Sequence, residues 1–373
     1  MRTLTALSAG AGSLALSFVI SVLLTPALRR WARQRDFVDR PSAGLHKSHR
    51  EPIPFGGGIA ITVAILVPIA FVLIAAAILV RIDPAHLSGV TRLLPNLPYW
   101  AGGVVEKTPQ ALAIIAGALV MHLVGIIDDH RPLSAMTKLV FQVAVALMIT
   151  AGFGIRAMAG LGPVPSILLT TLWIVGITNA FNFLDNMDGL SGGVAFLTAV
   201  ILAMAAFTAG QLFVPCALML LAGAVLGFLI YNFPPATIFM GDAGSLVVGF
   251  LLAVFTVLTT YYAPELNRQP FGVLVPLIVF AVPIYDIASV MFHRYRIGQS
   301  VFQADRRHFS HRLVNLGMSR KVAVLTIYLA TAATALPAIV LPLLDWFGAL
   351  LIFGQCVCVV TMIAILESRE DRT

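Results

Sequence analysis

The sequence predicts an all-α integral membrane protein, and three observations carry that expectation. Hydrophobic residues fill 59% of the 373 positions and charged residues only 11%, with a mean hydropathy of +0.94, far from the balance of a soluble domain. Apolar runs long enough to cross hydrocarbon, which takes about 20 helical residues, recur along the whole chain. The cationic residues, finally, gather in alternate connections between those runs.

Eleven runs qualify as expected spans: 4–28, 56–80, 109–127, 138–151, 167–181, 190–209, 212–231, 244–261, 271–292, 322–341 and 347–366. The first is too long for the core of a signal peptide. It has only Arg2 before it and Arg29, Arg30, Arg33 and Arg35 after it, so it is expected to stay as an anchor with its N-terminus outside. Eleven spans then leave the C-terminus in the cytoplasm. Of the 24 Lys and Arg residues, 18 fall in the segments this topology places inside, as the positive-inside bias requires. The net charge of +7 is therefore read as contact with lipid headgroups and phosphate ligands, not with nucleic acid. Cys216, Cys356 and Cys358 lie within expected spans and read as packing residues. With no internal repeat and no low-complexity tract, residues 1–373 are expected to form a single polytopic membrane domain.

Chemistry concentrates in the loops. The stretch from Asn179 to Leu190 sets Asp185 and Asp188 between apolar helices, three residues apart and thus on one face if helical. No Lys or Arg occurs between Arg156 and Arg268. A metal ion or a basic segment from elsewhere is therefore expected to balance these carboxylates, because unpaired charges beside a bilayer are costly; a solvated loop with an Asp cap is the alternative. Asp128 and Asp129 end the third run, where they oppose the helix dipole and each other. That placement favours handling of a metal or phosphate over capping, with Lys138 as counter-charge or as a snorkelling lysine. Asp242 sits between glycines just before the eighth run. The backbone N–H groups there are expected to face an anion, or Asp242 caps its own helix. Phe239 offers an aromatic face for a base.

Two connections are basic. The first holds His46, Lys47 and His49 ahead of Gly56, Gly57 and Gly58, glycines that suit close approach to a ligand or tight packing of the second span. The second gathers Arg306, Arg307, His308, His311 and Arg312. Arginine's fork and this charge match a diphosphate. An interfacial segment binding lipid headgroups is the alternative, and zinc on His308 and His311 fits less well, since the carboxylates elsewhere suit a hard cation. Asp128, Asp129, Asp185, Asp188, Asp242 and both basic loops fall on one expected side of the membrane. Oxygen ligands for Mg²⁺ together with cations for phosphate are what phosphoryl-type transfer needs. A transporter or channel with an acidic cation site is the competing class, but its charges are expected near the midplane.

In Lys47-Ser-His49 with Pro52-Ile-Pro54, Asp128-Asp129, Asn182-Phe-Leu-Asp-Asn-Met-Asp-Gly189, Met240-Gly-Asp-Ala-Gly-Ser245 and Asp305-Arg-Arg-His-Phe-Ser-His311, the chain resembles the polyprenyl-phosphate N-acetylhexosamine-1-phosphate transferases. The last motif is similar to the branch using UDP-N-acetylglucosamine or related sugars. The resemblance implies transfer of a sugar-1-phosphate from a UDP-sugar to undecaprenyl phosphate, with release of UMP, in the bacterial inner membrane at the start of a cell-envelope glycan. By motif it implies that Asp242, with Asp185, holds Mg²⁺ or Mn²⁺, and that Asp128, Asp129 and His308 act catalytically. Lys47, His49, Asn182, Asp185, Asp188, Phe239, Arg306 and His311 would contact substrate. Expected partners are the UDP-sugar, undecaprenyl phosphate, membrane lipids and a second copy in a homodimer; nucleic acid is not expected. Both direct attack by the lipid phosphate and a covalent aspartyl-phosphate are compatible with the resemblance. Ser310, where the branch usually has the first of a His-His pair, and His46, where Arg commonly precedes the lysine, depart from it.

Overall fold

A computed structural model describes residues 2–40, 51–83, 86, 88–261, 269–298 and 308–367. Helices dominate: α1 Arg2–Gln34, α2 Gly57–Leu79, α3 Ser88–Leu93, α4 Leu97–Glu106, α5 Thr108–His130, α6 Ala135–Leu147, α7 Pro163–Leu184, α8 Leu190–Thr208, α9 Phe213–Asn232, α10 Asp242–Leu258, α11 Val275–Val279, α12 Ala281–Arg296, α13 Phe309–Asn315, α14 Arg320–Ala335 and α15 Trp346–Glu367. Two-residue strands, β1 Val38–Asp39 and β2 Ile53–Pro54, pair antiparallel, with Val38 opposite Pro54.

Among the described residues nine helical segments are long and apolar enough to cross a membrane. A tenth span results if the pair 270–279 and 281–296, bent by 60°, counts as one. The chain is thus an all-α, multi-pass membrane protein, and the ninth expected run is broken where the sequence offers no interruption by charge. At 17 residues α10 is a shorter apolar helix, below the length expected of a span. It is also the most enclosed: from Ala243 to Thr256 every residue is buried, and α2, α5, α7, α8 and α9 all pack against it. A helix that is apolar on all sides belongs inside a bundle, where neighbouring helices replace lipid around it.

Packing of this helix rests on bare backbone. A Cβ on Gly125 of α5 would lie 2.3 Å from the Ala243 nitrogen, and one on Gly58 of α2 would lie 2.4 Å from the Gly244 nitrogen. Both approaches are closed to any larger residue, the small-residue logic of helix contacts in membranes. The glycines that open α2 therefore serve tight packing, one of their two expected uses. The Gly57 and Gly58 N–H groups donate to the carbonyls of Phe239 and Met240, and the Phe239 N–H donates to the Pro54 carbonyl, stitching the segment before α10 to β2. Hydroxyls glue α1 to α9: Ser17 and Ser21 donate to the Leu220 and Ala224 carbonyls at 2.5 and 2.7 Å. The result is one end of the bundle at which α1, α5, α7 and α9 finish and α2, α10 and α14 begin.

Candidate active site

At that end lies a cavity of about 570 Å³, within the range of small-ligand sites, roughly 300–1,000 Å³. Six aspartates line it, Asp39, Asp128, Asp129, Asp185, Asp188 and Asp242, together with Arg40, His311, Arg320, Phe55, Phe239 and Asn186. Segments separated by up to about 280 residues are thus brought to one place, as the loop positions led us to expect.

Asp129 is the first surprise. It accepts from the backbone N–H groups of Asp242 at 2.8 Å and Ala243 at 3.2 Å. A carboxylate from α5 therefore caps the N-terminus of α10, whose own N-cap, Gly241, has no side chain to do so. The sequence reading set capping aside for Asp129 and left the α10 N–H groups open to an anion. Both expectations are corrected: the helix start is occupied by Asp129, and the favourable dipole end offsets only part of the cost of burying that carboxylate.

Asp242, now the first residue of α10, turns its side chain to two partners. Its Oδ1 accepts from Asn182 Nδ2 at 2.9 Å and its Oδ2 from Lys138 Nζ at 2.8 Å. Lys138 also donates to Asp128 Oδ2 at 3.1 Å, so this α6 lysine bridges two carboxylates of the cavity and is the counter-charge, not a snorkelling side chain. Asp128 Oδ1 accepts from the Leu133 N–H at 2.7 Å, holding the turn between α5 and α6. Asn182 donates in addition to Ser245 Oγ at 3.0 Å.

The helix α7 ends at Leu184, so Asp185 and Asp188 share a turn and not a helix face. Both still reach the cavity. Asp188 Oδ2 accepts from the Ala236 N–H at 2.9 Å, tying this turn to the 233–241 segment. Asp185 is hemmed in: burial first, then the negative charges of Asp242, Asp129 and Asp188, hold its carboxyl well above the ordinary carboxylate value. Asn179, at the head of the same stretch, is spent inside the bundle on Gln142. Phe239 lines the cavity with its ring 6.3 Å from that of Phe55.

The basic side is only partly as expected. Lys47, His49 and Arg306 lie outside the described residues. His308 is buried in the wall: its Nδ1 is 3.0 Å from Asp286 Oδ2, its ring meets that of Phe183 edge-on, and it does not line the cavity. Arg312, expected on a diphosphate, turns away instead to Ser289 Oγ at 2.6 Å and Glu367 Oε2 at 3.1 Å. Ser310 is also buried, donating to Asn186 Oδ1 at 2.5 Å. His311 does face the cavity, and so does Arg320, at the start of α14. Asp39, Arg40, Asn186, Asp286 and Arg320 are not among the site residues expected from sequence; Asn186 carried a signal as part of the Asn182–Gly189 motif, Asp286 as an acid within an apolar run, and Arg320 as a cation next to the basic loop.

Among the described residues no three His, Cys, Asp or Glu side chains converge closely enough to hold a metal by themselves. Mg²⁺ does not require such a cage, since it keeps several waters and takes one or two carboxylates plus substrate phosphates. Asp185 and Asp242 both line the cavity, and their carboxylate oxygens are donors that suit a hard cation carrying its own waters.

These features define a multi-pass helical membrane protein with a carboxylate-rich cleft at one end of its bundle. Residues 111–260, which carry five of the six aspartates that line the cavity, match glycosyl transferase family 4. The chain is 32% identical over 353 residues to a probable undecaprenyl-phosphate N-acetylglucosaminyl 1-phosphate transferase of Bacillus subtilis, covering 90% of this chain and 87% of that one. It is 36% identical over 279 residues to a decaprenyl-phosphate N-acetylglucosaminephosphotransferase of Mycobacterium tuberculosis, covering 67% and 68% of the two chains. Against an undecaprenyl-phosphate alpha-N-acetylglucosaminyl 1-phosphate transferase of Escherichia coli the identity is 26% over 333 residues, or 85% and 80%. The chain belongs to glycosyl transferase family 4.

Proposed function

We propose that the protein transfers an N-acetylhexosamine-1-phosphate, N-acetylglucosamine-1-phosphate first among the candidates, from its UDP derivative to a polyprenyl phosphate, releasing UMP. One observation carries this reading: a single cavity gathers six aspartates, one shared lysine, His311, Arg320 and an aromatic pair. That set can neutralise and position two phosphate-bearing substrates, which is most of what phosphoryl transfer asks of a protein. The names of the relatives support the same activity and not a transporter.

Mg²⁺ held by Asp242 and Asp185 would supply charge neutralisation on the diphosphate and orient its phosphorus for attack. The protein's own groups do the rest. Lys138 and Asn182 fix the Asp242 carboxylate, so that its free lone pairs keep one direction. His311 and Arg320 bind phosphate oxygens from the opposite wall, and Phe239 with Phe55 offers a surface for the uracil ring. His308, buried in the wall against Asp286 and Phe183, is assigned a positioning role and no contact with substrate. The acceptor monoester is largely a dianion at neutral pH, its second pKa being about 6, so no strong base is required. Both Asp129 oxygens are engaged by α10, and both Asp128 oxygens by Leu133 and Lys138. That engagement favours direct attack by the lipid phosphate over a covalent aspartyl-phosphate.

The cation distribution supports a cleft on the cytoplasmic face of the bacterial plasma membrane, with the lipid phosphate entering sideways from the bilayer. An assay of purified protein with radiolabelled UDP-sugars and polyprenyl phosphate tests the reading. We expect UMP and a lipid-linked sugar diphosphate, and reversal by added UMP. Release of UDP would mean that the sugar alone moves and would overturn it.

A further inference from the structure

The helix α13 is seven residues long, too short to hold its shape alone, yet it carries His311 into the cavity. Buried acids from other helices fasten it at its start and at its middle. At the N-terminal end Asp286 of α12, 1% exposed, accepts from the Phe309 N–H at 2.8 Å and lies 3.0 Å from His308 Nδ1. Midway along, Arg312 reaches Glu367 Oε2 at 3.1 Å and Ser289 Oγ at 2.6 Å. Glu367, the last residue of α15 and 5% exposed, also accepts from Tyr285 OH at 2.7 Å.

We propose that Asp286 and Glu367 are positioning residues that hold α13 on either side of His311, at Phe309 and at Arg312, and so fix His311 in the cavity. Buried carboxylates in a membrane protein are retained only where partners compensate their desolvation. Here three of the four carboxylate contacts just described, all but that of Tyr285, go to this one short helix and its N-cap. Asp286 does for α13 what a capping side chain does for a longer helix, and it sets the ring of His308 at the same time. Glu367 does the rest through Arg312, whose two contacts on α12 and α15 stop α13 from rotating about its axis. Rotation is what the site cannot tolerate, because His311 shares its turn with Ser310 and Arg312, whose side chains are committed elsewhere. The helix α15, none of whose residues lines the cavity, thereby acts on the donor side of the cleft.

This inference rests on the transferase reading for its kinetic consequence but not for its structural one. The full-length protein in lipid nanodiscs is compared with Glu367→Gln, Asp286→Asn, Tyr285→Phe and the conservative Glu367→Asp. Hydrogen exchange of the 309–315 amides, which needs no substrate, should accelerate in Glu367→Gln and Asp286→Asn and return towards wild type in Glu367→Asp. In turnover, the KM for the UDP-sugar should rise about tenfold on loss of one charge-assisted bond, while the KM for the polyprenyl phosphate stays within about twofold. Should Asp286→Asn fail to fold, Glu367→Gln and the milder Tyr285→Phe carry the test. Unchanged exchange across 309–315, or equal losses for both substrates alongside a lower melting temperature, would overturn the clamp. Faster exchange in a protein that performs no transfer would uphold the clamp and remove the reading of the site it serves.

Discussion

The two walls of the cleft are held by different means. On the acidic wall the backbone does the work: α10 starts against Gly58 and Gly125, its first N–H groups are capped by Asp129, and the segment before it is stitched to β2. On the basic wall side chains do it, through Asp286, Arg312 and Glu367 acting on a seven-residue helix. A wall fixed by backbone contact cannot shift without disturbing the core. One fixed by a few side-chain bonds can move while the bundle stays intact. The acidic wall should therefore fail in an all-or-none way and the basic wall by degrees.

The largest effect is expected at Asp242. Replacing it with Asn keeps the bond to Asn182 within reach but removes the charge opposite the phosphates, and turnover should fall by several kcal/mol of barrier, about a thousandfold. EDTA should abolish activity and Mg²⁺ or Mn²⁺ restore it. Near-normal turnover in Asp242→Asn or in EDTA would show that the acidic wall is structural only.

Next comes Gly125→Ala. Its Cβ would meet the α10 backbone at 2.3 Å, and because backbone cannot step aside as a side chain does, the melting temperature should drop by the equivalent of about 1–3 kcal/mol. Activity should fall with it as Asp129 loses its grip on α10. A variant that melts normally and works normally would remove the distinction between the two walls.

On the basic side His311→Ala should weaken donor binding about tenfold with the melt unchanged. Lys321→Ala, one residue beyond the cavity-lining Arg320, should be close to silent. Equal effects of the two would point to general attraction of headgroups instead of a contact in the cleft.

The smallest effect concerns pH. The Asp185 carboxyl is raised in the folded, metal-free protein, so the folded state holds its proton more tightly than the unfolded chain does. Stability of the metal-free protein should then be highest in mild acid and decline as pH climbs from the unfolded value of 3.8 through the raised folded value. Asp185→Asn should flatten that decline, and so should saturating Mg²⁺. A melting temperature insensitive to pH in the metal-free wild type would mean that the carboxylates are already compensated.

The sequence by itself determined that this is a helical membrane protein and that Asp128, Asp129, Asp185, Asp188 and Asp242 meet on one side of it. Those conclusions follow from hydrocarbon thickness and the placement of charge, which are properties of the chain read along its length. For Lys138 the sequence left two readings, counter-charge to Asp128 and Asp129 or snorkelling side chain; packing decided for the first and gave it Asp242 in place of Asp129 as the second partner. What each carboxylate does was decided by tertiary structure. That Asp129 caps α10 depends on a contact across 113 residues, and that α10 is the enclosed core of the bundle depends on which helices surround it. Arg312 illustrates the limit most plainly. Charge and spacing grouped it with Arg306 and His311, whereas its direction was set by Glu367 at the far end of the chain. Local patterning reports what a residue can bond to; which partner lies within 3 Å is a fact of packing, and packing is not written in any one segment.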